Sequence, residues 1–159
     1  MRNQLIVALL ITLFVSGCGF HLRGDSQIAA RLNPIYVVED QLDSTQLTLI
    51  RNQLIRSGAD LVQTEFRSNQ LHVKLTSLKD RQIASSSLTD VEIVRLSMSL
   101  MYRVMNDSGE FLIDQQELVD SIDVELDTAN VLSHEQVKNR AREELQSWLI
   151  QSMINQLGR

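Results

Sequence analysis

Few residues of this chain are of a type and spacing that could do chemistry. The three histidines are His21, His72 and His134, and none is spaced from another like the paired imidazoles of a helical zinc site. The single cysteine, Cys18, can complete neither an internal disulfide nor a thiolate metal cage. There is no Gly-x-Ser-x-Gly turn to present a nucleophilic serine, and no glycine-rich phosphate loop. Acids are more plentiful: Asp114, Glu117, Asp120, Asp123, Glu125 and Asp127 crowd one segment. Two of them could form a carboxylate pair for hydrolysis, although acids at this spacing are more simply read as the solvated face of a strand. The sequence thus assigns no catalytic residue and no metal ligand.

The cations point to binding. His72, Lys74, Arg95 and Arg103 occupy the polar positions of two alternating segments, and Lys79 and Arg81 stand where the first of these runs into a serine-rich stretch. Ammonium and guanidinium groups are natural partners of phosphate. Lys74, Lys79, Arg81 and Arg95 are therefore the candidate phosphate contacts. The competing expectation is that these side chains form cross-strand ion pairs with Asp123 or Glu125. With a net charge of -5 and a pI near 5.1, the chain lacks the basic stripe of a general nucleic-acid binder.

Cys18 has a more definite context. Met1–Gln4 carries one positive side chain, and Leu5–Val15 is an apolar run broken only by Thr12. That run is too short for a bilayer span of about 20 residues and suits the hydrophobic core of an export signal. Val15-Ser16-Gly17-Cys18 follows, which resembles the lipobox of bacterial lipoproteins. The resemblance implies cleavage before Cys18, an S-diacylglycerol on its thiol and an acyl group (palmitate in many such proteins) on its new amine. One acyl chain holds a protein to a membrane only reversibly, whereas two or three make a lasting anchor. Gly19 in place of Asp implies delivery to the outer membrane. Residues 1–17 are expected to be a signal peptide and 18–159 a single domain.

The elements that would position the cations read as follows. Ile35–Val38 is a short strand rich in β-branched and aromatic residues. Asp43 and Gln46 make a capping-box pair for a helix over about 44–57, with Leu47, Ile50 and Leu54 on its apolar face and Gly58 as its terminator. Leu71, Val73 and Leu75 alternate with polar residues, as do Val94, Leu96, Met98, Leu100, Tyr102 and Val104, so both segments are half-buried strands. Between them, 82–87 is the candidate mobile loop. Asn106–Gly109 is a turn. On the return strand Phe111 and Ile113 are odd-numbered but Ile122, Val124 and Leu126 even, which calls for a bulge or break between about 114 and 118. Ser133 and Gln136 suggest a second capping box, opening a helix over about 134–157. Its stripe is Val137, Ala141, Leu145, Leu149, Met153 and Leu157; Trp148 lies beside the stripe, and Gly158 closes the helix. The fold expected is α+β in the order β-α-β-β-β-α: a four-stranded, mostly antiparallel sheet with two amphipathic helices packed on one face.

Gly17-Cys18-Gly19-Phe20-His21-Leu22-Arg23-Gly24 resembles the start of the mature chains of LPS-assembly lipoproteins, the LptE family, also called rare lipoprotein B. Arg51-Asn52-Gln53-Leu54, followed by Gly58, is similar to that family's first helix. The resemblance implies a non-catalytic outer-membrane subunit without a cofactor other than its covalent lipid. Its partner would be the β-barrel LptD, whose assembly it aids and whose lumen it occupies from the periplasmic side. It also implies interaction with lipopolysaccharide during transport to the outer leaflet, which makes the phosphates of lipid A the natural ligands for Lys74, Lys79, Arg81 and Arg95. The alternatives are another small outer-membrane lipoprotein that binds envelope partners, and a hydrolase built on the acidic segment.

Overall fold

Ile35–Val38 forms β1, with Ile35 and Val37 facing inward and Tyr36 and Val38 outward. The computed structural model describes residues 28–86 and 90–159. The signal segment, Cys18, the motif at 17–24 and Ser87 lie outside them. After β1 comes α1, Ser44–Arg56, and both reciprocal bonds of the expected capping box are made: the Asp43 carboxylate accepts from the Gln46 amide at 2.8 Å and the Gln46 side chain from the Asp43 amide at 3.2 Å. The helix ends in a Schellman arrangement. Gly58, at φ +77°, donates to the Ile55 carbonyl, and Ala59 donates to that of Leu54.

Three strands follow: β2 (Asn69–Ser77), β3 (Arg81–Ser86) and β4 (Val91–Met105). After the turn come β5 (Phe111–Asp127) and α2 (Val131–Leu157). β1 pairs with β2 in parallel, as a β-α-β crossover requires, and the other pairings are antiparallel. The class is α+β as expected, but the sheet has five strands and is mixed. The additional strand is β3. The stretch read as a mobile loop is extended through Ser86, because Arg81–Ser86 pairs with Val91–Arg95 along the same edge of β4 that β2 occupies further on. The order of the sheet is still four ranks: β1, then β2 with β3, then β4, then β5. β3 lacks alternation because it is an edge strand, and a register shift between Gln82 and Ala84 leaves Ile83 half exposed.

A bulge does lie on β5: Tyr102 pairs with Gln116 but Val104 with Ile113, so the extra residue falls at 114–115. It returns Ile113 to the inner face. A second shift, between Val104–Ile113 and Met105–Phe111, was not expected. It turns Phe111 onto the outer face, where it is 54 % exposed, so Phe111 and Ile113 do not share a face.

One core lies between the inner face of the sheet and the helices. It joins Leu71 and Val73 of β2, the even-numbered residues Val94 to Val104 of β4, Ile50 and Leu54 of α1, and the seam of α2. That seam is wider than the i, i+4 stripe: Ile150 and Ile154 are fully buried beside Leu145, Leu149, Met153 and Leu157. Trp148 is on the rim. The expected start of α2 is corrected by three residues. Asn130 is the N-cap and Ser133 sits in the first turn, its hydroxyl donating back to the Asn130 carbonyl, so no capping box forms there. Gly158 follows the last residue of α2, as expected, but with φ −83°, a conformation open to any residue.

Candidate functional site: the open face of the sheet

The face of the sheet opposite the helices carries no layer of protein among the described residues. Strand parity puts His72 and Lys74 of β2, Arg81 of β3, Arg95 and Arg103 of β4, and Asp123, Glu125 and Asp127 of β5 on it together. The cations grouped by the sequence reading do not form one cluster. Lys74 is level with Met101 and Arg81 with Arg95, a separation of six residues along β4, or roughly 20 Å.

At one end of this face His72 pairs with Arg103 across β2 and β4, with Lys74 next along. These three, with Asp40, Gln41 and Gln115, line a concavity of about 200 Å³. The His72 Nε2 is enclosed and has no hydrogen-bond partner among the described residues. Burial, helped by the positive charge of Arg103 and opposed by Asp40, holds its pKa below the ordinary 6.5. The local field therefore favours the neutral imidazole. Arg103 also lies over the ring of Phe111 at 6.0 Å, which the second bulge makes possible.

At the other end the cross-strand ion pair weighed in the sequence reading is formed. Arg95 Nε and one terminal nitrogen bond the two oxygens of Asp123 at 2.7 and 2.8 Å, a bidentate pair between directly opposed residues. The hydrogen bond from Arg95 pulls the Asp123 carboxyl below its ordinary pKa. Glu125 and Asp127 continue the acidic row. The polar face is thus basic near the β4–β5 turn and acidic toward β3.

Lys79 lies in the connection from β2 to β3. Its neighbour Asp80, which the sequence reading did not single out, bonds Lys138 at 3.3 Å and Arg142 at 3.0 Å, tying this connection to α2. No local pattern could have found that contact, because the partners are 58 and 62 residues apart in sequence. Lys74, Lys79 and Arg81 have no ion-pair partner among the described residues. His134 is fixed structurally: its Nε2 is 2.7 Å from the Asp127 carbonyl, joining the first turn of α2 to the end of β5.

The acidic segment is divided between the two faces of the sheet. Glu117 and Asp120, three apart on an extended strand, face opposite sides of the sheet, and Asp123 is held by Arg95. Among the described residues no three His, Cys, Asp or Glu side chains gather as a group that could hold a metal, and no helix is long and apolar enough to cross a membrane.

No protein-family model and no curated protein sequence matches the chain. Solved structures do match in fold. A lipoprotein B from Nitrosomonas europaea superposes with a TM-score of 0.67 at 17% identity, over 88% of this chain and 90% of that one. A minor lipoprotein from Acinetobacter baumannii gives 0.64 at 13% identity, over 80% and 94%. The rare lipoprotein B of Shewanella oneidensis gives 0.60 at 14% identity, over 76% and 93%. The chain has the rare lipoprotein B fold, the fold that the resemblance at residues 17–24 implies.

Proposed function

We propose that this chain is a non-catalytic lipoprotein of the LPS-assembly type. It is anchored in the outer membrane through acylated Cys18, seated in the lumen of an LptD-type β-barrel that it helps to assemble and plugs, and in contact with lipopolysaccharide during its insertion. One coincidence carries the reading: the only cysteine of the chain opens a Cys-Gly-Phe-His-Leu-Arg motif behind an export signal, and the domain that follows has the fold of rare lipoprotein B. The open face supports it. A polar sheet surface left uncovered by the described residues is suited to the polar wall of a wide barrel lumen, where an apolar face would leave the wall's polar groups unpaired. Lys74, Lys79 and Arg81, which form no ion pair among the described residues, are the cations best placed to meet lipid A phosphates. Arg95 is engaged by Asp123.

Purification of the native protein from membranes in mild detergent tests this directly. A stable complex with one large β-barrel subunit is expected, together with reduced surface lipopolysaccharide when the protein is depleted. Recovery without a barrel partner, with normal surface lipopolysaccharide after depletion, would leave the chain as a different envelope lipoprotein.

A further inference from the structure

The two ends of the domain differ in a way the polar face does not explain. β4 runs the length of the molecule, roughly 50 Å for its 15 residues. At its C-terminal end sit the segment before β2 and the β4–β5 turn. Phe66 is 75 % exposed there and lies beside Asp107 of the turn. Phe111, the first residue after the turn, pairs with Met105 and projects from the outer face. Leu112 beside it is also partly exposed. Large aromatic side chains left in water at one tip are costly unless something covers them.

The chain enters the described domain at this same end. The Ile28 amide donates to Ser57 at the close of α1 and the Ala29 amide to Leu157 at the close of α2. The Tyr102 hydroxyl bonds Gln156 at 2.6 Å, which places that end of α2 over the C-terminal part of β4. Nine residues, and so ten Cα–Cα steps, separate Cys18 from Ile28. Even fully extended they reach about 35 Å, so an acylated Cys18 keeps this tip, and not the opposite one, within easy reach of the bilayer surface.

We propose that the tip formed by Phe66, Phe111 and Leu112 docks into the interfacial layer of the phospholipid membrane that holds the anchor. The inference rests on the acylation of Cys18 proposed above, and it concerns the acylated chain before it enters the barrel, whose lumen would take the tip out of the lipid. Charge says which kind of surface is involved. Arg67 stacks on Phe66 at 5.3 Å and Arg103 on Phe111, but Glu65, Asp107 and Glu110 lie at the same tip. The tip is therefore close to neutral, and contact is driven by aromatic burial rather than by attraction to anionic lipid. The opposite tip also exposes apolar side chains, Val131 and Leu132, but it lies at the far end of β4 from the point where the chain enters, and Asp90 and Asp127 stand in the connection next to it without a stacked arginine.

The test uses the acylated chain in phosphatidylcholine vesicles. Because the lipid consumes the Cys18 thiol, Phe66→Cys, Phe111→Cys and Leu132→Cys each offer one free thiol for an environment-sensitive fluorophore. Probes at 66 and 111 are expected to be blue-shifted, quenched by spin-labelled lipid and several-fold less sensitive to aqueous iodide than the probe at 132, with no change in high salt. Equal iodide quenching at 66 and 132, or loss of the contrast in salt, overturns the docking. A second arm carries Cys18→Ala with an N-terminal hexahistidine tag on nickel-chelating lipid and the same three probes. If the Cys18 chain fails to float with vesicles but the tagged chain keeps the contrast, the acylation is wrong and the docking stands. If the chain floats and the contrast is absent in both arms, the docking is wrong and the anchor stands.

Discussion

The Arg95 guanidinium and the Asp123 carboxylate face each other across β4 and β5 in bidentate contact, on the outer side of the sheet. Arg95 is thereby committed to a neighbour rather than presented to solvent. Replacing Asp123 with Asn keeps the shape and removes the charge. Binding of lipopolysaccharide to Asp123→Asn, measured by titration at low salt, is expected to be tighter than to the parent chain. In the parent, Lys74→Ala should weaken binding more than Arg95→Ala. The reverse order would place the phosphates at the β3 end of the face.

His72 makes stability depend on pH. Its folded pKa lies below the ordinary 6.5, so between that value and the folded pKa the unfolded chain binds more protons than the folded one. Stability therefore falls as pH is lowered through that window. Urea melts are expected to show a midpoint that drops from pH 7 to pH 5, and His72→Gln should remove part of that drop. An unchanged pH profile in the variant would mean that His72 is not the group titrating.

The two expected capping boxes have different outcomes, and mutation should separate them. Asp43→Ala removes the acceptor for the Gln46 amide and is expected to cost about 1 kcal/mol. Ser133→Ala removes only a bond back to a first-turn carbonyl, and its effect should stay within about 0.5 kcal/mol in the same chemical melt.

Core and surface positions of α2 should differ more. Leu145 is fully buried, and Leu145→Ala is expected to destabilise by about 2–5 kcal/mol through lost burial and the cavity left behind. Leu132 is 95 % exposed, and Leu132→Ser should shift stability by no more than about 0.5 kcal/mol.

For the anchor, metabolic labelling with radioactive palmitate gives the readout. Cys18→Ala is expected to abolish incorporation, since no other cysteine is available. Labelling that persists would refute acylation at this residue.

β-Branched and aromatic residue types determined β1. Periodicity along the chain determined the apolar face of α1, the inward set of β4 and the seam of α2. In each of these, burial is one-sided and leaves a clear repeat of two or of about 3.6 residues. Local hydrogen bonding determined the Asp43 capping box and the turn at Asn106–Gly109, where the Asn106 side chain accepts from the Ser108 and Glu110 amides. The need for a bulge on β5 was also legible, because a strand cannot change inward parity without one. Tertiary structure alone decided what rests on distant partners. β3 exists because β4 runs beyond its pairing with β2, and its free edge at Val91–Arg95 offers backbone bonds, so the side chains of β3 need show no pattern. Asp80 finds Lys138 and Arg142 only once α2 folds back over the sheet. The second bulge, which turns Phe111 outward, follows from pairing register and not from any local repeat. The same register split the cations into a basic end and a neutralised one. Residue type marks which side chains can meet a phosphate, but only strand alignment sets which acid lies opposite each of them.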